Sequence, residues 1–147
     1  MNEGRILVFD AEGVILGRLA TAVSKALLSG YKVFVVNSEK AIVSGDPHTV
    51  IDSYRIWFEI KTLRNPYKWS PKRPRSPVAI VKKAVKGMLP KDNWRGISLL
   101  KNLKVYVGYP EELKKYESIK AVSVSPVKPS RGFITVGEIA RMLGWKC

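Results

Sequence analysis

The chain is poor in the residues from which most catalytic and metal sites are built. Of its 147 residues, one is cysteine, Cys147, and one is histidine, His48. A lone cysteine has no disulfide partner within the chain and cannot assemble a thiolate zinc site. The same two counts remove Cys–His nucleophilic pairs and most metal centres, so an enzymatic reading would have to rest on carboxylates or lysines. Carboxylates are scarce as well: 12 acids stand against 26 lysines and arginines, a formal charge of +14. Long apolar runs are missing too. Nothing approaches the roughly 20 residues needed to span a bilayer. The opening MNEGRILVFD places acids early and has no apolar signal-peptide core. These features point to a cytosolic protein and weigh against a membrane as the partner of the charge.

What is present describes a compact domain. A hydrophobic content of 46% is ordinary for a globular core, and 147 residues fit a single domain over 1–147. RILVF (5–9) and KVFVV (32–36) are short, nearly continuous apolar runs, the pattern of strands buried on both faces of a parallel sheet. Between them Leu16, Leu19, Ala20, Val23 and Leu27 form one helical stripe, with Arg18, Thr21 and Lys25 outside it and Gly30 as the stop. Strand, helix and strand in this span make a right-handed βαβ unit. Asp46-Pro47 signals a second helix with Val50, Ile51, Tyr54, Trp57 and Phe58 facing inward. Ser76-Pro77 repeats the signal for a third, running to about Leu89, with Val78, Val81, Val85 and Met88 facing inward. A short helix near 94–101 leads into a strand at LKVYV (103–107). Residues 119–134 read as an extended arm, and together with the final helix they form a C-terminal extension over 119–147. Thr135 and Glu138 have the spacing of a capping box for that helix.

The charge is not spread evenly. From Arg55 to Lys104 there are fourteen cations and two acids, Glu59 and Asp92. Self-repulsion on that scale opposes folding unless a polyanion neutralises it. The core of the segment is the loop 61–75, KTLRNPYKWSPKRPR, with Lys61, Arg64, Lys68, Lys72, Arg73 and Arg75, three prolines and no acid. Lysine and arginine contact phosphates, and arginine can do so with two parallel hydrogen bonds. Tyr67 and Trp69 offer faces for unpaired bases. The prolines hold the loop extended, which lowers the entropy lost on docking. Lys82, Lys83, Lys86, Lys91, Arg95 and Lys104 continue the basic surface beyond the loop, and Lys128 and Arg131 carry it into the arm.

Other clusters carry less. DAEGVILGR follows the first strand with glycines but matches neither dinucleotide-binding nor P-loop patterns. Gly13 reads as a turn residue, and Gly17 as a site of close helix–sheet packing. Asp10 and Glu12 read as turn residues, Asp46 as a cap and His48 as a surface histidine. Two rival functions are a nucleotide-using α/β enzyme, such as an RNA-modifying transferase, centred on Asp10, Gly13 and Asn37, and a regulator that binds duplex or messenger RNA.

DAEGVILGRLA (10–20), VVNSEKAIVSG (35–45), KGMLPKDNWRG (86–96), LKVYVGYP (103–110) and the ending GEIARMLGWK (137–146) carry a specific likeness. In them the chain resembles the large-subunit ribosomal protein L-thirteen family, in its archaeal/eukaryotic-type branch. The resemblance covers nearly the whole chain in order and spacing. It implies an α/β protein of three layers, α/β/α, with a mainly parallel sheet. It also implies binding to large-subunit ribosomal RNA beside neighbouring large-subunit proteins, a role in early subunit assembly, a place in the cytoplasmic ribosome, and no enzymatic activity, cofactor or small-molecule substrate. By motif match, Lys86, Arg95 and Lys104 would face RNA. Lysine at 86 departs from the arginine that the family often has there, which bears on bidentate phosphate contact. The loop 61–75 is variable in the family, so its contacts are read from its own composition.

Overall fold

The computed structural model of the chain describes residues 5–69, 71–120 and 131–146. Four parallel strands make the main sheet: β1 (Ile6–Asp10), β2 (Lys32–Val36), β4 (Leu103–Val105) and β5 (Ser118–Lys120), in the order β4-β2-β1-β5. Val8 lies opposite Phe34 on one side of β1 and opposite Ser118 on the other. A second, two-stranded sheet pairs β3 (Ile42–Ser44) antiparallel with β6 (Phe133–Thr135). The α/β class with a mainly parallel sheet is thus as the sequence led us to expect.

The two faces of the main sheet are covered differently. Phe9, Val33, Val35, Leu103 and Val105 point into the large core with α1 (Leu16–Leu28), α4 (Pro77–Met88) and α6 (Val136–Met142). Val8 and Val36 point the other way, into a small cluster closed by Leu113 of a 3₁₀ turn (Glu111–Lys115) and flanked by Phe34, Tyr106 and Tyr109. Apolar residues alternate across both faces, which is why these strands read as continuous apolar runs.

The helix starts follow their capping chemistry. Asp46 accepts the Thr49 backbone N–H at 3.2 Å to start α2 (Pro47–Glu59), and Ser76 accepts that of Ala79 at 3.2 Å to start α4. In α6 the capping box is complete: Thr135 Oγ1 accepts from the Glu138 N–H at 3.2 Å while Glu138 accepts from the Thr135 N–H at 3.1 Å. The predicted stripe of α1 is buried in full.

Several expectations need correction. Met88 is not a core residue but is 44% exposed, because α4 ends there and the extended Leu89 takes the next core position, while Ile80 fills the place farther up. Trp57 is 45% exposed; α2 lies at the margin of the core, and Ile51 is its one buried residue. Gly17 does not mediate close packing, since a methyl group added there would meet nothing within 4 Å. The stretch 119–134 is not an arm at its ends, for it begins in β5 and finishes in β6. Its middle, 121–130, which includes Lys128, lies outside the described residues.

Candidate nucleic-acid interface

Three elements frame the basic surface: α2, the loop 60–75 and α4, with α5 (Trp94–Lys101) beside them. The loop contains one helical turn, α3 (Pro66–Trp69), where Asn65 Oδ1 accepts the Lys68 N–H at 3.1 Å. It then returns along α2. The Arg73 guanidinium carbon sits 3.8 Å from the centre of the Trp57 ring, and that of Arg75 sits 4.5 Å from the centre of Phe58. Stacking a weakly hydrated guanidinium on a ring holds the cation in place without neutralising it. Trp57 is therefore a platform for the loop, which explains why it is not in the core. Nothing in the sequence pairs Trp57 with a residue sixteen positions later; only the fold does.

Arg73 is the hub. It borders three adjoining cavities of about 400, 590 and 360 Å³. The largest gathers Lys72, Arg73, Lys82, Lys83, Lys86 and Lys91. The smallest is lined by Lys61, Lys72, Arg73 and Arg75. No acid lines any of the three. Among the described residues the ion pair found is Lys40–Glu12, 3.2 Å long and on another part of the molecule. Partial desolvation draws the Lys83 ammonium below the usual lysine range, and the like charges of Arg73 and Lys86 push it further down. The Arg73 Nε–H is buried with no hydrogen-bond partner. Both observations describe positive charge held at a cost that an anion would relieve.

The remaining predicted residues are placed as follows. Arg64, Tyr67, Lys68 and Trp69 stand exposed on the outer part of the loop, Tyr67 almost fully, and Lys68 Nζ is 5.6 Å from the Trp69 ring. Arg95 is exposed on α5. Lys104 departs from the group: its Nζ lies 5.9 Å from the ring of Phe34, on the sheet face opposite α4. Arg131 is exposed just before β6, beside the Gly45–Gly132 backbone contact, and also stands apart. Sequence reasoning missed Trp57, and it missed the exposed Trp94 and Ile97 flanking Arg95 on α5.

The discounted clusters have structural occupations. Asp10 Oδ1 accepts from the Glu12 N–H and from Asn37 Nδ2, each at 3.0 Å, and the Gly13 N–H is donated to the Lys40 carbonyl. The turn after β1 thus spends its polar groups on itself. Among the described residues there is no group of three metal-ligating side chains, and no helix is long and apolar enough to cross a membrane.

The same segments align with known proteins. A family model for ribosomal protein L13 matches residues 4–112, which include the whole basic surface around Arg73. The large ribosomal subunit protein uL13 of Aeropyrum pernix is 46% identical over 99% of this chain and 94% of its own length. Its counterpart in Saccharolobus solfataricus is 43% identical over 96% of this chain and 94% of its own length. That of Sulfolobus acidocaldarius is 43% identical over 97% and 96%. A family match over most of the chain, with relatives aligned nearly end to end, establishes that this chain belongs to the ribosomal protein L13 family.

Proposed function

We propose that the chain is a structural constituent of the large ribosomal subunit that grips ribosomal RNA with the surface around Arg73 and supports early subunit assembly. The observation that carries this reading is six cations, Lys72, Arg73, Lys82, Lys83, Lys86 and Lys91, gathered around one cavity with no acid in its lining. The relatives named as large ribosomal subunit proteins supply the class of partner. Binding is dominated by phosphate neutralisation and shape, with few base-specific contacts. Tyr67 and Trp69 stack on unpaired bases at the outer end of the loop. The whole chain acts as one RNA-binding domain, and the stretch 119–134 follows a second RNA or protein surface in the cytoplasmic ribosome. The family is one of ribosomal structural proteins, so no catalytic step is assigned.

The test is protection mapping of purified large-subunit ribosomal RNA mixed with the protein, combined with co-sedimentation. A defined protected RNA segment, and retention on large subunits through a high-salt wash, are expected. Diffuse protection and release into the supernatant would instead favour a regulator that works off the ribosome.

A further inference from the structure

The cleft between α2 and α4 has a chemistry that phosphate binding alone does not need. Its cavity of about 400 Å³ is walled by Leu16, Tyr54, Trp57 and Ile80, with Arg73 and Lys83 among its polar residues. That volume falls within the range of small-ligand sites, roughly 300–1,000 Å³. A groove that only follows an RNA backbone needs cations facing water. Here an aromatic and aliphatic wall sits directly beside two cations that have no carboxylate partner among the described residues. Arg73 is pre-positioned by its 3.8 Å stack on Trp57. Bases inside a duplex are stacked on one another and cannot reach such a wall, whereas a nucleotide turned out of the stack presents both an anion and an apolar plane.

We infer that the α2–α4 cleft is a pocket for a single unstacked nucleotide of the bound RNA, with its phosphate between Arg73 and Lys83 and its base against Tyr54 and the part of Trp57 that the Arg73 stack leaves uncovered. This rests on the RNA-binding reading and adds to it a recognition step that selects a loop or bulge over a plain helix. The position of Lys83 fits: it lines the cleft and faces the like charges of Arg73 and Lys86, which a phosphate placed there would offset.

The test is a set of NMR titrations of the full chain with adenosine 5′-monophosphate, uridine 5′-monophosphate, inorganic phosphate and an acetylated Asp-Phe dipeptide amide. The Trp57 indole N–H and the Ala84 amide, both in the cavity lining, are the reporters. The nucleotides should shift both reporters saturably and bind on the order of tenfold more tightly than inorganic phosphate, the scale of one base stacked on an aromatic ring. Arg73→Lys keeps the charge but loses the planar stack, and Trp57→Leu keeps an apolar wall at a half-exposed position; each should bring nucleotide affinity down to that of phosphate. Equal affinity for nucleotide and phosphate, or shifts spread evenly over the basic surface, would overturn the pocket. Tighter binding of the dipeptide would reassign it to a protein partner and overturn it equally. Ribosomal RNA binding measured on the same samples separates the two levels: if it persists without nucleotide selectivity, only the pocket is lost, and if it is absent, the underlying reading falls as well.

Discussion

Gly96→Ala should be among the most damaging single-methyl changes in this molecule. Gly96 is buried at the start of α5, and a Cβ built on it would fall onto the Pro90 carbonyl oxygen, well inside any real contact distance, with the Pro90 carbonyl carbon at 3.1 Å. The obstacle is backbone, so no side chain can swing aside. Either the 90–95 turn moves or α5 does, and α5 is tied to the core through Leu99 and Leu100. Overpacking of this kind costs about 1–3 kcal/mol, and the upper part of that range applies where rigid backbone must shift. For a chain of this length each kcal/mol moves Tm by about 2–4 °C, so a fall on the order of 4–12 °C is expected in thermal unfolding followed by circular dichroism. Gly17→Ala is the matched control. It adds the same methyl in the first turn of α1, where nothing lies within 4 Å, and should raise stability by about 0.5–1 kcal/mol through helix propensity. The displaced turn carries Lys91 and Arg95, so Gly96→Ala should also weaken RNA binding, while Gly17→Ala should not. Equal melting temperatures for Gly96→Ala and the unmodified protein would refute the steric argument, because no soft neighbour is available to absorb the methyl.

Four further outcomes are expected. If the surface around Arg73 neutralises about six phosphates, the logarithm of RNA affinity should fall against the logarithm of salt with a slope of roughly −4 to −5; a flat response in filter binding would remove the electrostatic reading. Arg73→Ala and Arg75→Ala should each lower RNA affinity and, because each guanidinium lies on a ring, cost about 0.5–2 kcal/mol of stability in urea titration; a collapsed fold or unaltered RNA binding would contradict the assignment. Thr135→Ala breaks the capping box of α6 and should cost about 1 kcal/mol by the same method. Burial raises the Tyr54 hydroxyl above its ordinary value of 10.0. Its contribution to stability is therefore complete below that pH and is lost as pH rises through the folded value, so Tyr54→Phe should show a shallower alkaline loss of stability than the parent.

The fold was legible where local chemistry and burial agree. The apolar runs at β1 and β2, the full stripe of α1, and the caps Asp46, Ser76 and Thr135 each act within a few residues, and a linear reading captures them. It failed where a distant segment decides a residue's surroundings. Trp57 has helical spacing suited to a core face, yet a loop sixteen residues on turns it into a platform for Arg73. Lys104 has the charge and the motif of the basic surface, but the alternation of β4 directs it to the Phe34 face, away from α4. Gly17 shows the opposite error: a glycine in a helix next to a sheet suggests close approach, and only three dimensions show open space. The basic cluster itself was visible as composition, whereas its focus on Arg73 depends on how α2 and α4 converge.

The strand pairing bears on how such a chain matures during vectorial synthesis. β1 is made first but has β5, at 118–120, as one of its two neighbours, and β3, bridged on one side to Ile15, takes β6, at 133–135, on the other. Two early strands therefore keep a bare edge until residues 118–120 and 133–135, respectively, have been translated. Such edges template mispairing, and partners this far apart in sequence find one another slowly. Final closure thus waits on residues 133–135, and a product truncated just before residue 133 would be a substrate for quality-control proteases, not a shorter working protein.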